Sequence, residues 1–135
     1  MARGWKIRLM SVVILATGLA PAYSQNYKDA KATEIAQLPP FCYGQVIEGA
    51  SAPEFNIPRG CGPGMNHYCF ALLELIRGKG TIGNRRERMT HLQLAREQTL
   101  YTLRAMEKYP HCPIRGHVES TFKEVNGLLM GAGQK

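Results

Sequence analysis

Four cysteines, Cys42, Cys61, Cys69 and Cys112, constrain this chain's fold more than any other feature, because the segment ahead of them reads as an export signal. Arg3, Lys6 and Arg8 form a basic start, residues 9–20 are a nearly unbroken apolar stretch, and Pro21 ends it. Ala22 and Ser24 then place small residues at the third and first positions before a cut at Gln25. An apolar stretch of about twelve residues is shorter than the ~20 a helix needs to cross a bilayer, so no stable membrane span is expected after cleavage. A chain exported in this way works in the periplasm or outside the cell. Thiols oxidise there, and an even count predicts two disulfides. Four cysteines allow three pairings, and the residues themselves leave all three open. The chain has no Cys-x-x-Cys. This excludes covalently attached haem c and argues against a thioredoxin-type redox centre.

Cleavage after residue 24 takes three of the 17 Lys and Arg residues and none of the ten Asp and Glu, so the net charge falls from +7 to +4. A charge of that size suits solubility and does not demand nucleic acid. At 135 residues, with 44% hydrophobic content, the chain has enough apolar material for one small domain.

Residues 25–63 are expected to be an N-terminal segment followed by a Gly/Pro-rich loop, with either a short helix or a frayed terminus before Pro39-Pro40. Loops this long are usually functional or tethered, and Cys42 and Cys61 supply the tether. The helical domain is expected over residues 64–131, with a disordered tail at 132–135. Met65, Tyr68, Cys69, Leu72, Leu73 and Ile76 recur at the spacing of one helix face, and Gly78 and Gly80 are read as the end of that helix. A second helix is predicted over residues 85–109, with Met89, Leu92, Thr99, Leu103 and Met106 along one stripe. Leu94, Tyr101 and Ala105 widen it, and Pro110 breaks it. A third is predicted over residues 114–130, with Val118, Phe122, Val125 and Leu129 inward and Gly131 as its stop. No alternating strand pattern competes, so the class is all-α: a small helical-hairpin bundle of three main helices with a disulfide-tethered N-terminal loop region. Its core is expected where Tyr68 and Leu72 meet Leu92 and Leu103.

Gly78-Lys79-Gly80-Thr81-Ile82-Gly83 has the spelling of a dinucleotide fingerprint. That motif works only where a strand feeds the glycines; here a helix does, so the segment reads as a turn. Arg77, Lys79, Arg85, Arg86 and Arg88 gather around it, a candidate dock for an acidic partner, phosphate or anionic membrane surface. The segment lacks the interleaved aromatics that single-stranded nucleic acid would want, and no nucleic-acid partner is expected. His67, Cys69, His111 and Cys112 nominally make a zinc set. However, residues i and i+2 of a helix point apart, and disulfides would consume the thiols. No residues form a catalytic constellation, and no cofactor is called for.

Leu38-Pro39-Pro40-Phe41-Cys42, Gly64-Met65-Asn66-His67-Tyr68-Cys69 and Ala95-Arg96-Glu97-Gln98-Thr99-Leu100-Tyr101-Thr102-Leu103-Arg104 together resemble a group of short exported bacterial proteins described as tetratricopeptide-repeat-like. In them a Leu-Pro-aromatic-Cys precedes a helix bearing His-Tyr-Cys. The resemblance covers about half of the mature chain. It implies a helical-hairpin scaffold that binds a partner. It also implies that the two shared cysteines, Cys42 and Cys69, pair, which leaves Cys61 with Cys112. Loops of those sizes would contribute about 3.5 and 4 kcal/mol in the chain-entropy model.

The function expected is a periplasmic, disulfide-stapled helical scaffold that mediates protein–protein interaction or self-association. The alternative is a periplasmic metal- or redox-handling protein using His67, His111 and the thiols.

Overall fold

The computed structural model describes residue 27 and residues 29–133. The expected signal segment, residues 1–24, lies outside the described residues, as do Gln134 and Lys135 at the end of the expected tail. Three long helices carry the fold: α3 (Met65–Gly80), α4 (Arg85–Ala105) and α5 (Arg115–Gly133). Two single-turn helices, α1 (Ala32–Ile35) and α2 (Tyr43–Val46), precede them. Among the described residues there is no strand.

The N-terminal half has more local structure than its composition suggests. Pro40 and Pro53 each open a 3-10 turn, Pro40–Cys42 and Pro53–Phe55, where a missing N–H costs nothing and the fixed φ is already suitable. The second turn packs back on α2. The rings of Tyr43 and Phe55 meet edge to face at 5.3 Å, and Gly44 lies so close to the Phe55 carbonyl that a Cβ would stand 2.6 Å from its oxygen. Elements of three or four residues have too few positions to show a periodicity, so the sequence pattern does not reveal them.

Gly78 does not end α3, contrary to expectation. The helix runs through it to Gly80, and Thr81 closes it by donating its backbone N–H and its hydroxyl to the Arg77 carbonyl, each at 2.9 Å. Gly78 is buried against α4, where a Cβ would meet Leu92 Cδ2 at 2.8 Å. This glycine serves close helix packing, and its low helix propensity is overridden. The α-helical part of α4 stops at Ala105, and a 3-10 turn over Met106–Lys108 carries the chain on to Pro110. At its start Asn84 caps the helix. Its Oδ1 accepts from the Glu87 N–H at 3.1 Å, and its Nδ2 donates to the Glu87 carboxylate at 2.9 Å. Helix α5 continues past Gly131 to Gly133, so residues 132 and 133 belong to the helix and not to a tail.

Helix α3 packs along α4, and α4 packs along α5, while α3 and α5 touch little. Two apolar clusters result. The larger surrounds the disulfides Cys42–Cys69 and Cys61–Cys112 and includes Leu38, Met65, Tyr68, Leu72, Leu73, Met106 and Val118. That connectivity is the one the family resemblance implies. The smaller joins Leu75, Leu92, Ala95 and Val125. The expected single seam is thus divided. Tyr68 and Leu72 lie in the first cluster with Leu103 half-buried at its margin, and Leu92 lies in the second.

Candidate functional site

Because α3 and α5 touch little, part of the α3 surface is left as the floor of a groove of about 1040 Å³. Leu72, Leu75 and Ile76 supply the floor. The segment around α1 lines it through Lys31, Glu34 and Gln37, α4 lines it through His91, and α5 lines it through His117, Thr121 and Glu124.

Glu74 organises the charges beside this floor. It sits in the apolar run Leu72-Leu73-Glu74-Leu75 and is only 2% exposed. A carboxylate buried this deeply needs partners for both oxygens. Oε1 accepts from Arg77 Nη1 at 3.0 Å, and Oε2 accepts from His91 Nδ1 at 2.6 Å. Since an ionised carboxylate can only accept, Nδ1 of His91 carries the proton. The other ring nitrogen faces Glu87 Oε1 at 3.9 Å, so His91 is held between two carboxylates and not against a nucleophile.

Arg77 links this helix face to the N-terminal segment. Its Nε donates to Glu34 Oε1 at 3.2 Å, and its Nη2 lies 3.3 Å from Asp29 Oδ1. Burial opposes the charge on Arg77, yet the three carboxylates hold it more firmly protonated than usual. Burial likewise opposes the charge on Glu34. The Lys31 backbone N–H and the Arg77 guanidinium outweigh it, and the Glu34 pKa is lowered. A group whose pKa falls on folding contributes stability that is complete above its unfolded value and is lost as pH drops through the folded value. Glu34→Gln is therefore expected to lower stability by about 1 kcal/mol at neutral pH. The gap between variant and parent should shrink as pH falls below ~4.3, the ordinary value for Glu. Urea melts of both proteins at pH 7 and pH 3 would check this; a gap equal at both values would count against the ion pair.

Beside α5, the phenol of Tyr68 lies 2.7 Å from His117 Nδ1 and 2.8 Å from Thr121 Oγ1, which satisfies the one polar atom of a fully buried ring. Burial, together with the Glu124 charge and against the Thr121 hydrogen bond, pushes the Tyr68 pKa up to about 12. The phenol therefore stays protonated and acts as a structural hydrogen-bonding group.

The basic cluster read from the sequence is divided by the fold. Arg77 is drawn inward, with its side chain 14% exposed, and Lys79 pairs with Glu124 at 2.9 Å. Arg85 and Arg86 are exposed on the first turn of α4. Arg88 is half-buried, and its Nε is shielded from solvent without a hydrogen bond. His67 and His111 are not brought together as a ligand set. His67 Nδ1 is 2.7 Å from Gln98 Oε1 and its ring lies 4.0 Å from that of Tyr101, whereas His111 is exposed ahead of Cys112. All four thiols are consumed in disulfides. Among the described residues no three His, Cys, Asp or Glu side chains are grouped to hold a metal ion.

Glu74, His91, Glu34, His117 and Thr121 were not singled out in the sequence. One signal was present: an acid inside an otherwise apolar helix face must find a partner. Comparison with protein-family models, with characterised proteins and with solved structures found no match to this chain.

Proposed function

We propose that this chain is an exported helical scaffold, periplasmic or secreted, that holds an extended segment of a partner protein in the groove along α3. The observation that carries the reading is the groove itself. Its volume lies at the upper end of the range of small-molecule pockets, roughly 300–1000 Å³, and leaves room for a stretch of several residues. Its apolar floor and charged walls also match the make-up of an interface. Five carboxylates border or underlie it, Asp29, Glu34, Glu74, Glu87 and Glu124, against the three cations Lys31, Arg77 and Lys79. That balance favours a segment in which apolar residues alternate with Lys or Arg, so that one set meets Leu72, Leu75 and Ile76 and the other meets the acids. The resemblance to exported tetratricopeptide-repeat-like proteins points to the same kind of role. The pairs Cys42–Cys69 and Cys61–Cys112 would keep the groove's walls fixed outside the cell.

Synthetic extended peptides that alternate Val with Lys, or Val with Glu, test the reading by calorimetry. The basic peptide is expected to bind at least about tenfold more tightly than the acidic one. Ile76→Arg, which puts a cation on the floor, should abolish that binding. Equal affinity for both peptides, or binding untouched by Ile76→Arg, would refute a peptide groove.

A further inference from the structure

We propose that the end of the bundle formed by the α3–α4 turn and the last turns of α5 rests on a bilayer surface rich in anionic lipid. Ile82 and Met130 are the two most exposed large apolar side chains among the described residues, at 94% and 67%. The helix registers bring them to the same end. Lys79 pairs with Glu124 at 2.9 Å between α3 and α5, and Arg96 Nε donates to Asn126 Oδ1 at 2.8 Å between α4 and α5. From these points α3 runs on to Ile82 and α5 runs on to Met130, while α4 starts between them. Leu128 and Leu129, half-buried on the second core cluster, back Met130.

Cations flank these apolar tips. Arg85 and Arg86 are exposed on the turn of α4 that follows Ile82 and Asn84. A fully exposed Ile on a convex turn offers a protein partner little unless that partner has a matching pocket. A fluid interface needs no such match. It takes up an isolated apolar side chain, while neighbouring Arg and Lys side chains extend to the lipid phosphates. Each basic residue near an anionic surface strengthens binding roughly fivefold. Salt weakens the effect, because the Debye length falls to about 3 Å at 1 M.

Flotation of the purified exported chain with lipid vesicles tests the proposal. One set contains equal parts phosphatidylglycerol and phosphatidylcholine, the other phosphatidylcholine alone. The chain is expected to partition at least about tenfold more onto the anionic vesicles, and high salt should release it. The double substitution Arg85→Glu and Arg86→Glu should remove that preference. Ile82→Ser should weaken binding to the anionic vesicles without changing the far-UV spectrum, since the residue lies outside the core. Ile82→Trp should show a blue-shifted emission on anionic vesicles that the parent protein does not show. Three results would each overturn the proposal: equal partition onto both vesicles, a preference that survives the Arg85 and Arg86 substitutions, or an Ile82→Trp emission that stays water-like. Binding to soluble polyglutamate as tight as to vesicles, and indifferent to Ile82→Ser, would overturn it too and point to an acidic protein instead.

Discussion

Replacing Cys61 and Cys112 together by alanine is expected to lower stability by about 4 kcal/mol. The bond spans 51 residues, against 27 for Cys42–Cys69, so its loss frees the longer loop in the unfolded ensemble. The folded state loses as well. Both half-cystines are buried in the larger core cluster, and together they fasten the Gly60-Cys61-Gly62 loop to the turn between α4 and α5. Gly62 adopts a φ of +75° and faces the Tyr109 ring so closely that no side chain would fit. That approach depends on the bond holding the two segments together. A domain of this size has about 5–15 kcal/mol in all, so the variant should melt at a much lower urea concentration. Melts of the non-reduced parent and the double variant provide the measurement. A difference below about 1 kcal/mol would mean that the loop is held by its other contacts.

The three long helices were legible in the sequence because each has an apolar stripe long enough to show its period. Tyr68, Leu72, Leu92, Val118 and Val125 are all buried where the stripes place them. At Gly78 local propensity and tertiary packing point in opposite directions. Glycine is a poor helix residue, so Gly78 reads as a stop, whereas its lack of a side chain is what lets α4 approach. The candidate site was less visible for a different reason. Arg77 sits in a run of cations and so reads as solvated, but its partner Glu34 lies 43 residues earlier, on a single-turn helix with no signature of its own. Pairings made across the fold leave no trace in spacing. Glu74 is the exception, since its setting among leucines already implies burial and hence the need for Arg77 and His91.

Leu92→Ala is expected to destabilise the protein by about 2–5 kcal/mol, toward the upper part of that range. Leu92 is fully buried among Leu75, Ala95 and Val125. Truncating it leaves a cavity whose wall on the α3 side is Gly78, which has no side chain to move into the space, so relaxation can recover little. A fall of roughly 10–20 °C in melting temperature would follow. The same geometry makes Gly78→Ala destabilising in the parent, by about 1–3 kcal/mol, because the added Cβ would lie 2.8 Å from Leu92 Cδ2. In the Leu92→Ala background that methyl enters the cavity instead, and its cost should fall or reverse. The two substitutions should therefore be non-additive by more than about 0.5 kcal/mol in a double-mutant cycle. Thermal melts of the four proteins decide the matter. Strict additivity would show that α3 and α4 do not meet at Gly78 and Leu92, and the groove floored by α3 would lose the rigid backing this contact provides.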